Sequence, residues 1–129
     1  MTYLADTVTV IRHFSEIGRI GKKAKTILDA ADQGKHHIYI SVISMVEIMY
    51  LSEKKRIRID LAETQAMIRD STNYSIVDLT PDIVTRAQEI KFPELHDRLI
   101  IATASYLKTP ILTSDKRIRE IDDVESVWD

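Results

Sequence analysis

Apolar and polar positions along the chain follow two alternating rhythms. Short apolar runs, "YLAD" at 3–6, "IYIS" at 38–41, "SIVDL" at 75–79 and "ILT" at 111–113, have the length and composition of buried strands. Each feeds directly into a helical pattern, the rhythm of a mostly parallel sheet of four to five strands covered on both faces. "KKAKTILDAADQG" at 22–34 sets Ala24, Ile27, Leu28 and Ala31 on one helical stripe, with Gly34 where a left-handed cap ends the helix. "DLAETQAMIRDSTN" at 60–73 predicts a helix opened by Asp60, and "TPDIVTRAQEI" at 80–90 one capped by Thr80, with Pro81 at its first position. "DRLIIATASYL" at 97–107 is small or apolar all round, which predicts a helix laid against the sheet and opened by Asp97. "VESVW" at 124–128 reads as an edge strand.

Composition narrows the chemistry. The 129 residues suit a single domain, 1–129, with one core, and no repeat or linker interrupts them. Without cysteine there are no disulfides, thiolate nucleophiles or sulfur-built zinc sites, so any metal must be held by oxygen or histidine. No apolar run approaches the roughly 18 residues of a membrane span, and the first residues lack a basic leader. The expectation is an unexported, cytoplasmic protein with no membrane contact. A net charge of −2 gives no overall pull toward nucleic acid, yet basic residues cluster at 19–25, 54–58 and 116–119. Such clusters either hold phosphates or are solvated helix ends.

Four acids stand near the ends of strands, where ligands of open parallel sheets bind. Asp6 ends the first run, Asp115 follows "ILT", Asp97 opens the helix before it, and Glu47 lies in "SVISMVEIMYL" at 41–51. Each has a plainer alternative: Asp6, Asp97 and Asp115 as helix caps, and Glu47 with Ser44 as a capping box. Against the last, Glu47 is an isolated charge among Met45, Val46, Ile48 and Met49. Two carboxylates about 5 Å apart repel by roughly 3 kcal/mol at an effective dielectric of 20, so four together need a cation or must take up protons. Oxygen-only ligands select hard ions such as Mg²⁺, and the implied chemistry is attack of water on a phosphodiester.

The segments "LADT" at 4–7, "ISVISMVEIMYL" at 40–51, "HDRLIIATA" at 96–104 and "ILTSD" at 111–115 resemble, in order, the motifs of PIN-domain ribonucleases, specifically VapC-type toxins of type II toxin–antitoxin pairs. The resemblance implies a three-layer α/β/α sandwich and an acidic quartet of Asp6, Glu47, Asp97 and Asp115 that binds Mg²⁺ or Mn²⁺. Asp6 and Asp97 are its foremost metal ligands, and Thr7 and Thr113 its supporting hydroxyls. It further implies a homodimer and inhibition by an antitoxin. Arg12, Lys22, Lys23 and Arg98 are candidate contacts to the RNA substrate; His96 takes no role from the resemblance. Alternatives are a PIN-like nuclease in RNA or DNA processing, a receiver-like phosphoacceptor, and a non-catalytic domain whose acids are only caps.

Overall fold

The computed structural model describes residues 1–129. Five strands, β1 (Thr2–Ala5), β2 (His37–Ser41), β3 (Tyr74–Val77), β4 (Ile111–Leu112) and β5 (Ser126–Val127), form one sheet in the order β3-β2-β1-β4-β5. Every pairing is parallel. Seven helices cover the sheet: α1 (Thr7–Ser15), α2 (Lys22–Asp32), α3 (Val42–Glu53), α4 (Leu61–Arg69), α5 (Pro81–Gln88), α6 (Leu95–Leu107) and α7 (Lys116–Arg119).

Strand alternation separates two cores. Tyr3 and Ala5 of β1, Ile38 and Ile40 of β2, and Leu112 of β4 point to one face, where Val10, Ala24, Leu28, Met45, Ile48 and Ile68 of α1 to α4 pack on them. Leu4 and Ile111 point to the other, against Ile83 and Ala87 of α5, Ile100, Ile101 and Ala104 of α6 and Ile118 of α7. The result is a three-layer α/β/α sandwich. β5 lies at the edge of the sheet, as "VESVW" suggests.

Caps fix where most helices begin. Asp60 and Thr80 cap α4 and α5 as the sequence predicts, and Gly34 follows α2 with φ +86°. Two expectations are corrected. The cap of α3 is Ser41, whose hydroxyl accepts from the Ile43 N–H, so Ser44 and Glu47 do not form a capping box. The cap of α6 is Glu94, which accepts from the Asp97 N–H at 2.6 Å; Asp97 therefore sits inside the first turn rather than opening the helix. In both, an eligible side chain three residues earlier takes the cap and leaves the later one free to face the sheet edge.

Candidate active site

The order of strands reverses between β1 and β4, the two strands that leave the sheet centre in opposite directions. In open parallel sheets a crevice forms outside the carboxyl ends of such a pair. Asp6 directly follows β1, and Thr113, Ser114 and Asp115 follow β4, so both acids stand at the carboxyl edge beside this reversal.

Asp6 is buried, with 6% of its surface exposed. Its Oδ1 accepts from the Thr9 N–H at 3.0 Å and lies 2.7 Å from the Thr9 hydroxyl. Its Oδ2 accepts from the Thr113 hydroxyl at 2.5 Å. Thr113 in turn accepts from the Asp115 N–H at 3.1 Å, so one hydroxyl locks the two acids in register. Asp6 does cap α1, through that Thr9 N–H, but the cap occupies one oxygen only. Burial pushes the Asp6 carboxyl above its ordinary value; the donations from Thr113 and Thr9 oppose this without cancelling it, and the charge of Asp115 adds to it.

Glu47 reaches the same edge from α3. The Thr7 hydroxyl donates to Glu47 Oε1 at 2.6 Å and stands 2.8 Å from the Ser44 hydroxyl. With the Thr7 proton committed to the carboxylate, Ser44 supplies the second hydrogen bond. His96 Nδ1 lies 3.6 Å from Glu47 Oε2 and is half exposed. Asp97 completes the group from α6. Its carboxyl is pushed up to about 6, first by burial and then by the charges of Glu94, Asp115, Glu47 and Asp6. Four parts of the chain far apart in sequence thus place their carboxylates within one another's fields.

The outer side of the site is basic. Arg117 holds its guanidinium 3.7 Å from Asp115 Oδ2 and over the Phe92 ring, 5.3 Å from its centroid. Lys22 and Lys23 are exposed at the start of α2, which meets the carboxyl end of β5 through the bond from the Ala24 N–H to the Trp128 carbonyl. Arg12 and Arg98 are otherwise engaged: Arg12 donates to the Arg19 carbonyl at 2.9 Å, and Arg98 Nε to the Ala87 carbonyl at 2.7 Å, tying α6 to α5. Sequence reasoning missed Thr9, Ser44 and Arg117. For Thr9 a signal existed, since Asp6 and Thr9 stand at cap spacing; Arg117 lay within the basic cluster at 116–119, but nothing local set it apart from its neighbours there, because its seat over Phe92 is a tertiary contact.

Carboxylates dominate the polar groups gathered here, with His96 beside Glu47, and burial first, then the charges of the neighbouring acids, raises Asp97. That arrangement fits a hard divalent cation, with hydroxyls orienting the carboxylates behind it.

Comparison with known proteins agrees with this geometry. The PIN domain family model matches residues 3–124. The chain belongs to the PIN domain family. Among solved structures it is similar to the crystal structure of VapBC2 from Rickettsia felis bound to a DNA fragment from their promoter, at 16% identity over 100% of both chains with a TM-score of 0.73. It is also similar to a toxin–antitoxin complex from Klebsiella pneumoniae, at 27% identity over 95% of this chain and 94% of that one with a TM-score of 0.63. DNA-bound VapBC from Salmonella typhimurium matches at 14% identity over 98% and 97% of the two chains, TM-score 0.71. Curated protein sequences give no match. PIN membership displaces the receiver-like alternative, as does the strand order, because receivers carry 2-1-3-4-5.

Proposed function

We propose that this PIN domain is a divalent-metal-dependent endoribonuclease and the toxin of a type II toxin–antitoxin pair. The observation that carries the reading is Asp97, whose carboxyl is raised to about 6 by burial and by four neighbouring acids, Asp6, Glu47 and Asp115 among them. Such a site is arranged for a cation rather than for stability. Asp6 and Asp97 would hold Mg²⁺ or Mn²⁺ directly, and Glu47 and Asp115 would support it directly or through water. When bound, the ion lowers the pKa of water and neutralises charge on the phosphodiester.

The chain's own residues do the rest. Thr113 and Thr9 hold the Asp6 carboxylate in one orientation, and Thr7 does the same for Glu47. Lys22 and Lys23 stand at a helix N-terminus, where the macrodipole disfavours positive charge. Their placement costs α2 stability and is explained by a phosphate backbone laid across the acidic edge. Arg117 is a further phosphate contact beside Asp115. The toxin assignment rests on the similarity to the Klebsiella pneumoniae complex at 27% identity, supported by the VapBC structures. It brings with it a cognate antitoxin, a homodimer and action in the cytoplasm; no helix is long and apolar enough to cross a membrane.

The test is cleavage of single-stranded RNA by the wild type and by Asp97→Asn, with Mg²⁺ or EDTA. Cleavage by the wild type with Mg²⁺ alone, and a loss of at least a hundredfold in the variant, is expected. Equal cleavage by the variant, or undiminished cleavage in EDTA, contradicts the reading.

A further inference from the structure

A second set of ligand-type side chains lies at the opposite edge of the sheet, where β3 begins. His13 comes from the last turns of α1 and Asp29 and Asp32 from one face of α2; one ligand atom from each lies within 4.8 Å of the other two. No other His, Asp or Glu trio in the protein is gathered so closely, the acidic quartet included. His13 Nε2 is 3.1 Å from Asp32 Oδ2, and the Tyr74 hydroxyl is 2.7 Å from Asp32 Oδ1 and 3.1 Å from His13 Nε2. The side chain of His13 is 12% exposed and that of Asp32 50%, so the imidazole is anchored and the carboxylate open to solvent. His13, Asp29 and Asp32 together line a cleft of about 350 Å³, which gives a fourth ligand room to enter.

We propose that His13, Asp29 and Asp32 form a second metal site, distinct from the acidic crevice, that takes a borderline first-row ion, Zn²⁺ foremost. One imidazole nitrogen with two carboxylates is a donor set that Mg²⁺ does not select and Zn²⁺ does. Bonds of about 2.0–2.2 Å place tetrahedral ligand atoms roughly 3.3–3.6 Å apart, inside the spread seen here. The spacing of Asp29 and Asp32 puts both carboxylates on one helix face, with His13 opposite. An ion held at His13 Nε2 would take the place of the His13–Asp32 contact, while the Tyr74 hydroxyl, donating to Asp32 Oδ1, would go on orienting that carboxylate. Lys25, 3.4 Å from Asp29, is the competing cation, but it is exposed and such pairs are weak. The ion joins α1 to α2 beside the first residue of β3, a staple for a chain without disulfides.

The test is titration with Zn²⁺ by calorimetry, together with Co²⁺ absorption in the visible, on the wild type, Asp29→Asn, His13→Gln and Asp97→Asn. Asp29 makes no bond within the His13–Asp32–Tyr74 network, so Asp29→Asn leaves the ion-free melting temperature unchanged while weakening Zn²⁺ binding at least tenfold. His13→Gln removes the nitrogen-dependent Co²⁺ bands, and Asp97→Asn retains them. Absence of Zn²⁺ binding in the wild type, equal binding by Asp29→Asn and His13→Gln, or loss of the bands in Asp97→Asn overturns the proposal.

Discussion

Thr113 shows how much of the site depends on one hydroxyl. It is fully buried, donates to Asp6 and accepts from the Asp115 backbone, so Thr113→Val leaves a buried carboxylate one donor short at nearly constant volume. Losing such a bond costs about 1–3 kcal/mol, and chemical denaturation of the variant is expected to show it, with RNA cleavage reduced at least tenfold as Asp6 loses its orientation. Asp97 behaves in the opposite sense. Its carboxyl holds a proton up to about 6 in the folded chain but only to its ordinary 3.8 when unfolded, so protonation favours folding. Without divalent ion, this group's contribution to stability is fullest below pH 4 and is lost as the pH rises through 6. Asp97→Asn removes that slope, and thermal melts in EDTA at pH 7.5 should place the variant a few degrees above the wild type. Mg²⁺ competes with the same proton, so its stabilisation of the wild type should grow between pH 5 and 7.5.

Elements deliver these residues through their ends. α6 begins at Glu94 rather than Asp97, which puts two acids in one turn, and the Glu94 charge follows burial among the causes that raise Asp97. Burial acts to raise the Glu94 carboxyl too, but the backbone N–H groups of Asp97 and His96 outweigh it and hold it below its ordinary value. Glu94→Gln keeps an acceptor at the cap and removes the charge; titration of Asp97 by carbon-13 NMR should show its pKa falling toward the usual carboxylate range. Helix and strand identities were legible because periodicity and length separate them, as Ala24, Leu28 and Ala31 show for α2 and Leu4 and Ile40 for the strands. The caps of α3 and α6 were not: Ser41 and Ser44 are equally eligible three residues apart, and Asp97 is by residue type a better cap than Glu94, which nonetheless takes the place. Only packing against Thr7 selects between the serines. Gly21 carries another constraint invisible in sequence: a Cβ there falls 2.3 Å from the Trp128 carbonyl oxygen. Gly21→Ala should destabilise the chain by about 1–3 kcal/mol, read from denaturant midpoints, by pushing α2 from β5.

For the whole molecule, the strand order explains why four acids from distant segments share one crevice. The parallel sheet reverses between β1 and β4, the position at which such sheets bind ligands, and α3 and α6 bring Glu47 and Asp97 within reach of the charges of Asp6 and Asp115. Strand-to-helix alternation in the sequence carried the sheet and its carboxyl edge; the order of strands, and hence which loops adjoin, is a tertiary outcome that no local pattern encodes. The same limit hides the difference between Lys22 and Lys23, exposed near that edge, and Arg12 and Arg98, each of which gives one N–H to a backbone carbonyl. The apolar residues Val46, Met49 and Tyr50 are exposed on α3, a face suited to the proposed homodimer. Light scattering should give twice the chain mass, and a monomer would remove that part of the proposal.

On the proposed function, Asp6, Glu47, Asp97 and Asp115 together hold a divalent ion. The most direct measurement of this is Mn²⁺ binding by electron paramagnetic resonance in the wild type, Asp6→Asn and Asp97→Asn, with folding checked by circular dichroism. Saturable binding is expected in the wild type, and at least tenfold weaker binding in each folded variant. Mn²⁺ affinity unchanged by either substitution would contradict that function.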